Sequence, residues 1–185
     1  RSRSPCKIRQ LMAGRIRAAV VVLILAVAAP ASAHPAPFSY LDIVFRDGRI
    51  DGTLVVHIID AAHELGIAPP ERLLDNDVAA RERQRLAAIL APRLELQTDR
   101  RLVPQWTSLE PLPNDAALKL KFTIPTEESG SLAIDANLFP YDPLHQTFVN
   151  IYERDELRQQ VIFNASSPGH TYYLGTTQGA IAVMR

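Results

Sequence analysis

A mainly β fold is predicted by three observations. Apolar residues alternate with polar ones at a period of two in several short runs. Turn residues such as Asp47-Gly48 separate those runs. Only one long stretch, around Ala79 to Leu90, carries helical spacing. Roughly seven to nine short strands interrupted by one helix predict an immunoglobulin-like antiparallel β-sandwich with one inserted α-helix, preceded by a signal peptide.

The chain opens with the segment that sets its location. Arg15 and Arg17 precede the apolar run Ala18–Ala29, and Ala31-Ser32-Ala33 is a small-residue cleavage site. The run is about a dozen residues, against about twenty for a membrane span, so residues 1–33 are expected to be upstream residues and a cleaved secretion signal starting at Met12. Cleavage after Ala33 makes His34 the first residue of the mature chain. The expected domain then covers residues 34–176.

In chain order, Leu41, Ile43 and Phe45 mark a first strand. After the Asp47-Gly48 turn, Ile50, Leu54, Val56 and Ile58 mark a second, completing a hairpin. A short helical turn at Ala61–Leu65 is closed by Gly66. The main helix is expected to be capped by Asn76 or Asp77, to bury Ala79, Leu86, Ile89 and Leu90, and to end at Pro92. Arg81–Arg85 is expected to be its solvated face.

Further strands are expected at Leu94–Thr98, Leu102–Trp106, Thr147–Tyr152, Leu157–Phe163 and Thr171–Leu174. The clearest alternation is Leu118, Leu120, Phe122 and Ile124, followed by Leu132, Ile134, Ala136 and Leu138. Pro125–Gly130 between these two runs has the composition of a hairpin connection.

Composition narrows the function. The full chain has 20 basic and 20 acidic residues, yet six of the basic ones precede the cleavage site, so the mature domain carries a net charge of −6. Such a domain, without basic stripes, is not expected to bind nucleic acid or anionic lipid. Cys6 is the only cysteine and lies before the cut, which excludes disulfides and thiolate metal sites from the mature domain. G-x-S-x-G, H-E-x-x-H and Gly-rich phosphate loops are absent from the sequence, so no catalytic residue is expected.

Histidine carries the remaining chemistry. A mature N-terminal His34 offers an amine and an imidazole together, a ligand pair suited to Cu(II), Ni(II) or Zn(II), and a second histidine could complete the site. Asp142 and His145, three residues apart after a turn, offer an oxygen and a nitrogen. The expected metal ligands are therefore His34, Asp142 and His145, with nickel or copper as the metal. His57 reads as a surface strand residue and His63 as part of a helical turn with Asp60 and Glu64. His170 reads as a loop residue after Pro168-Gly169. Capping and turn formation are the competing role for Asp142, and packing at the sandwich edge is that for Tyr141.

A family resemblance rests on these residues. The signal followed by His34-Pro35-Ala36-Pro37, the Asp-Gly hairpin, and Leu138-Phe139-Pro140-Tyr141-Asp142-Pro143-Leu144-His145-Gln146-Thr147-Phe148-Val149-Asn150-Ile151-Tyr152 together resemble the extracytoplasmic domain of HupE/UreJ-like membrane proteins. The resemblance covers most of residues 34–176 and is most specific at Tyr141–Tyr152. It implies a non-enzymatic domain on the periplasmic face of the bacterial cytoplasmic membrane, linked to transition-metal uptake, chiefly of nickel. Members continue into several membrane helices. Residues 177–185, with the apolar Gly179–Met184, are expected to be the linker toward such a region, which is missing from this chain. The alternatives are a soluble periplasmic copper or nickel carrier using His34, and a structural sandwich that binds a protein partner.

Overall fold

The structure is a computed structural model that describes residues 38–126 and 130–175. The expected signal, His34 and the 177–185 linker lie outside the described residues. Among the described residues, no helix is long and apolar enough to cross a membrane.

The chain is mainly β. Two 9-residue strands, β1 (Phe38–Arg46) and β2 (Arg49–His57), form the expected hairpin, with Phe45 opposite Ile50. Gly48, at φ 73°, takes the left-handed turn position that a side chain would resist. Strand β2 ends one residue earlier than Ile58 implies. His57 caps a full helix, α1 (Ile58–Leu65), its Nδ1 accepting the Ile59 N–H at 3.2 Å. Gly66, at φ 62°, terminates that helix.

Helix α2 (Asn76–Leu90) is capped by Asp75 rather than Asn76 or Asp77. Three adjacent Asx side chains are chemically able to cap, and Asp75 is the one with extended backbone, so its Oδ1 accepts from Asp77 N and Val78 N at 2.9 and 3.0 Å. Ala79, Leu86 and Leu90 are buried as expected, and Ile89 is partly buried.

The remaining strands are β3 (Leu94–Gln97), β4 (Arg101–Leu102), β5 (Gln105–Leu112), β6 (Ala117–Pro125), β7 (Ser131–Ala136), β8 (Gln146–Glu153), β9 (Glu156–Phe163) and β10 (Gly169–Tyr173). They form a six-stranded sheet, β5-β6-β2-β1-β8-β9, and a four-stranded sheet, β10-β7-β3-β4. Leu41, Ile43, Leu54, Leu120 and Val149 from the larger sheet share one buried cluster with Leu94, Leu96, Leu132 and Ile134 from the smaller. Across the layers the Phe45 and Tyr172 rings lie 5.8 Å apart.

Three expectations are corrected by the topology. The expected hairpin around Pro125–Gly130 is a crossing between sheets: β6 pairs with β2 and β5, whereas β7 pairs with β3 and β10. Alternation marks which face of a strand is apolar, and two apolar faces are satisfied by opposing each other as well as by lying side by side. The expected single strand Leu102–Trp106 is divided between β4 and β5, one in each sheet. Strand β5 tolerates Pro111 because it lies at a sheet edge, where a missing N–H costs little. Finally, β1 and β8 are parallel, from Phe38 opposite Gln146 to Phe45 opposite Glu153, so the ladders are not all antiparallel.

The β8–β9 turn places two non-glycine residues in the left-handed region, Arg154 (φ 50°) and Asp155 (φ 68°). This is the backbone of a type I′ turn. Asp155 is tied to the first hairpin by both terminal guanidinium nitrogens of Arg46, at 2.5 and 2.6 Å. Replacing Arg154→Asn, which suits that backbone, is expected to raise stability by roughly 0.5 kcal/mol. An unchanged or lowered urea midpoint would contradict this account of the turn.

Candidate functional site

A buried polar cluster forms where β1 begins. Along β1, Phe38 and Tyr40 face outward while Ser39, Leu41 and Ile43 face the core, so strand alternation forces a hydroxyl inside. Ser39 is 0% exposed. Asp60, 4% exposed, enters from the first turn of α1, where the helix dipole favours a carboxylate.

The third contributor is the connection between β7 and β8. Leu138 and Phe139 anchor it in the core. The Asp142 N–H donates to Phe139 O at 3.0 Å, and the His145 N–H donates to Asp142 O at 3.1 Å. Asp142 Oδ1 accepts the Leu144 N–H at 2.9 Å, which closes the turn. Arg93 braces this connection against α1, donating to Leu138 O at 2.8 Å and to Glu64 Oε2 at 2.9 Å.

The turn aims His145 inward, at 7% exposure. Its Nε2 lies 3.0 Å from Ser39 Oγ, and its Nδ1 lies 3.8 Å from Asp60 Oδ2 with no hydrogen-bond partner. Tyr141 donates its hydroxyl to Asp60 Oδ1 at 2.5 Å. Phe139 packs edge-on against the imidazole, with centroids 4.8 Å apart. Outside this layer, the His63 ring stacks on Tyr141 at 3.7 Å and 21°.

Ser39, His145 and Asp60 thus stand in the order of a nucleophile, a base and an orienting carboxylate. Two features oppose catalysis by this trio. Ser39 is sealed from solvent, so an acyl carbon has no route to within about 3 Å of Oγ. The His145–Asp60 separation also exceeds hydrogen-bonding distance. The arrangement instead joins strand, helix and connection through polar contacts that leave the core nearly satisfied.

Electrostatics fits that role. Burial pushes the His145 imidazole below its ordinary pKa, against the opposing pull of Asp60 and Asp142. Burial also lowers His170, whose Nε2 lies 3.2 Å from Gln159 Oε1. Burial and the bond to Asp60 push the Tyr141 phenol far up, so it stays a donor. Both histidines take up a proton less readily in the folded chain than in the unfolded chain, which binds protons below about pH 6.5. This contribution to stability is therefore expected to be fully present well above that pH and to be lost progressively as pH drops through about 6.5 toward 5.5. Urea midpoints that stay flat across this range would contradict it.

The expected metal ligands are distributed as follows. Asp142 and His145 share one turn, but His145 faces the core. His34 lies outside the described residues. Among the described residues, no group of three or more His, Cys, Asp and Glu side chains forms a metal site. The Asp60–His63–Glu64 trio is split three ways: Asp60 inward, Glu64 onto Arg93, and His63 onto Tyr141. His57 caps α1, and His170 is a strand residue of β10, not a loop residue. Motif reading passes over Ser39 and groups Asp60 with His63 and Glu64 rather than with His145; extending the β1 alternation back from Leu41 would have placed Ser39 inside.

No protein-family model matches the sequence, and no curated protein matches it at a significant level.

Proposed function

We propose that this chain is the exported, non-enzymatic domain of a HupE/UreJ-like membrane protein linked to nickel uptake, with an immunoglobulin-like sandwich behind a cleaved signal. The observation that supports the non-enzymatic part is the sealed Ser39 hydroxyl, which closes the Ser39-His145-Asp60 arrangement to substrate. The orientation of the strands supports a display role. Glu153, at the far end of β8, accepts the Tyr172 hydroxyl at 2.7 Å and the Gly175 N–H at 2.9 Å, so Gly175 lies at that end. His145 sits just before the other end, roughly 25 Å away along the strand. A membrane segment following Gly175 would hold the His63–Tyr141 end away from the bilayer.

The test is cellular nickel at limiting supply, with and without the gene. A several-fold fall on deletion is the expected result, and unchanged nickel removes the uptake reading. Protease digestion of the domain in spheroplasts tests its location, and full protection would place it inside. A protein-binding sandwich is the second reading, favoured by an outward aromatic row in which Phe38 and Tyr40 lie 5.5 and 5.4 Å from Phe148.

A further inference from the structure

At the end of the sandwich that carries Gly175, the β1–β2, β3–β4 and β8–β9 turns surround a cavity of about 450 Å³, a size common among small-ligand sites. Phe45, Ile50 and Leu174 supply its apolar side, which is continuous with the core. Four arginines, Arg46, Arg49, Arg154 and Arg158, stand in its wall against two carboxylates, Asp47 and Glu153.

These arginines are held there at a cost to stability. Arg46 and Arg49 are direct partners across the β1–β2 hairpin, and like charges so placed repel. Arg154 has a left-handed φ of 50°, which asparagine or glycine adopts more easily. Costly conformations kept at a cavity wall point to a site. Carboxylates behind the wall fix most of the guanidinium groups. Asp155 accepts from both terminal nitrogens of Arg46, Asp51 from Arg49 Nε at 2.9 Å, and Glu156 from Arg158 Nη2 at 2.9 Å. Glu153 is occupied by the Tyr172 hydroxyl and the Gly175 N–H. Two groups are left over: the terminal nitrogens of Arg49, and the whole guanidinium of Arg154. Neither makes a hydrogen bond or salt bridge among the described residues.

We propose that this cavity binds a phosphate ester with an apolar substituent, the phosphate bridging Arg49 and Arg154 and the substituent lying over Phe45 and Leu174. Guanidinium forks match phosphate oxygens, and a bound phosphate relieves the repulsion among the arginines. The apolar side next to those forks favours an ester over inorganic phosphate. A small organic phosphate and a phospholipid headgroup share this chemistry. The net charge of −6 expected for the mature domain averages over this end and does not describe the local wall. The site goes beyond the uptake reading and does not depend on it.

The test is calorimetry on the full chain with hexyl phosphate as the probe, at about 20 mM salt so that screening is small. One molecule per chain is expected, with a Kd of about 100 μM. Inorganic phosphate is expected to bind roughly 10-fold more weakly. Arg49→Gln and Arg154→Asn are each expected to weaken hexyl phosphate about 10-fold. Because asparagine suits the turn, a urea midpoint at or above that of the parent chain shows that Arg154→Asn loses binding and not folding. Arg81→Gln, on the exposed face of α2, is expected to bind as before. Three results would each overturn the site: no binding of hexyl phosphate at about 1 mM, equal affinity in Arg154→Asn, or inorganic phosphate as tight as the ester. Once the ester binds, flotation with vesicles of phosphatidylcholine and phosphatidylglycerol separates the two sources. Vesicle binding that is lost in Arg154→Asn assigns a lipid headgroup. Vesicle binding that is absent, or that survives Arg154→Asn, assigns a small ester.

Discussion

Gly52→Ala is expected to cost about 3 kcal/mol of stability, more than removal of any surface ion pair. Gly52 lies in β2 directly opposite Phe122 of β6, on the buried face of the larger sheet. A methyl group there would stand 2.0 to 2.4 Å from three atoms of the Phe122 ring, far inside van der Waals contact. The ring has little freedom to retreat. Phe122 is 1% exposed, and Trp106 packs against it edge-on with centroids 5.0 Å apart. The substitution must push an aromatic ring off its rotamer or spread two paired strands.

Urea unfolding measures the loss as a midpoint shift of roughly 1–2 M. The double variant Gly52→Ala with Phe122→Leu should recover part of it, because the smaller side chain vacates the space. A shift worth less than about 1 kcal/mol, or additive losses in the double variant, would refute the packing argument. Gly48→Ala is the contrast: no atom lies within 4 Å, and its expected cost of about 1 kcal/mol comes from a backbone φ of 73° alone.

Asp60→Ala is expected to cost nearly as much, about 3 kcal/mol. It removes the acceptor of the Tyr141 hydroxyl and the carboxylate facing His145 Nδ1. His145 Nδ1, buried and already without a hydrogen-bond partner, would lose the facing carboxylate, and the part-buried Tyr141 hydroxyl would lose its acceptor. Asp60→Asn keeps one carbonyl oxygen for Tyr141 and should lose only about 1 kcal/mol. Tyr141→Phe should fall in the same range. A double-mutant cycle between positions 60 and 141 reads their coupling directly. Equal losses for Asp60→Ala and Asp60→Asn would show that the cluster contributes nothing beyond packing.

How far local pattern reading reaches is clear from single elements. Leu118 to Ile124 reads as a strand and is one, and the run from Leu132 to Leu138 reads as a strand that the structure ends at Ala136. Their partners were not readable, because a period of two records which side of a strand is dry and nothing about its neighbour. The Asp47-Gly48 hairpin was readable because two residues link its strands, leaving few other pairings. The parallel β1–β8 pair was not, since it joins segments separated by more than a hundred residues. Asp142 as a turn residue follows from its neighbours, and its bond to the Leu144 N–H agrees with that. His145 gave no sign that it turns inward toward Ser39 and Asp60.

Local physics in the chain therefore decided the mainly β character, the first hairpin and the helix at 76–90. Each depends on neighbours within a few positions, through backbone sterics, turn geometry and the spacing of apolar side chains. The tertiary structure alone decided the division into two sheets, the parallel pair, the fit of Phe122 over Gly52 and the meeting of Ser39, Asp60, Tyr141 and His145. Those depend on which apolar faces meet across the core, and a buried polar group is satisfied by whatever distant partner that meeting supplies.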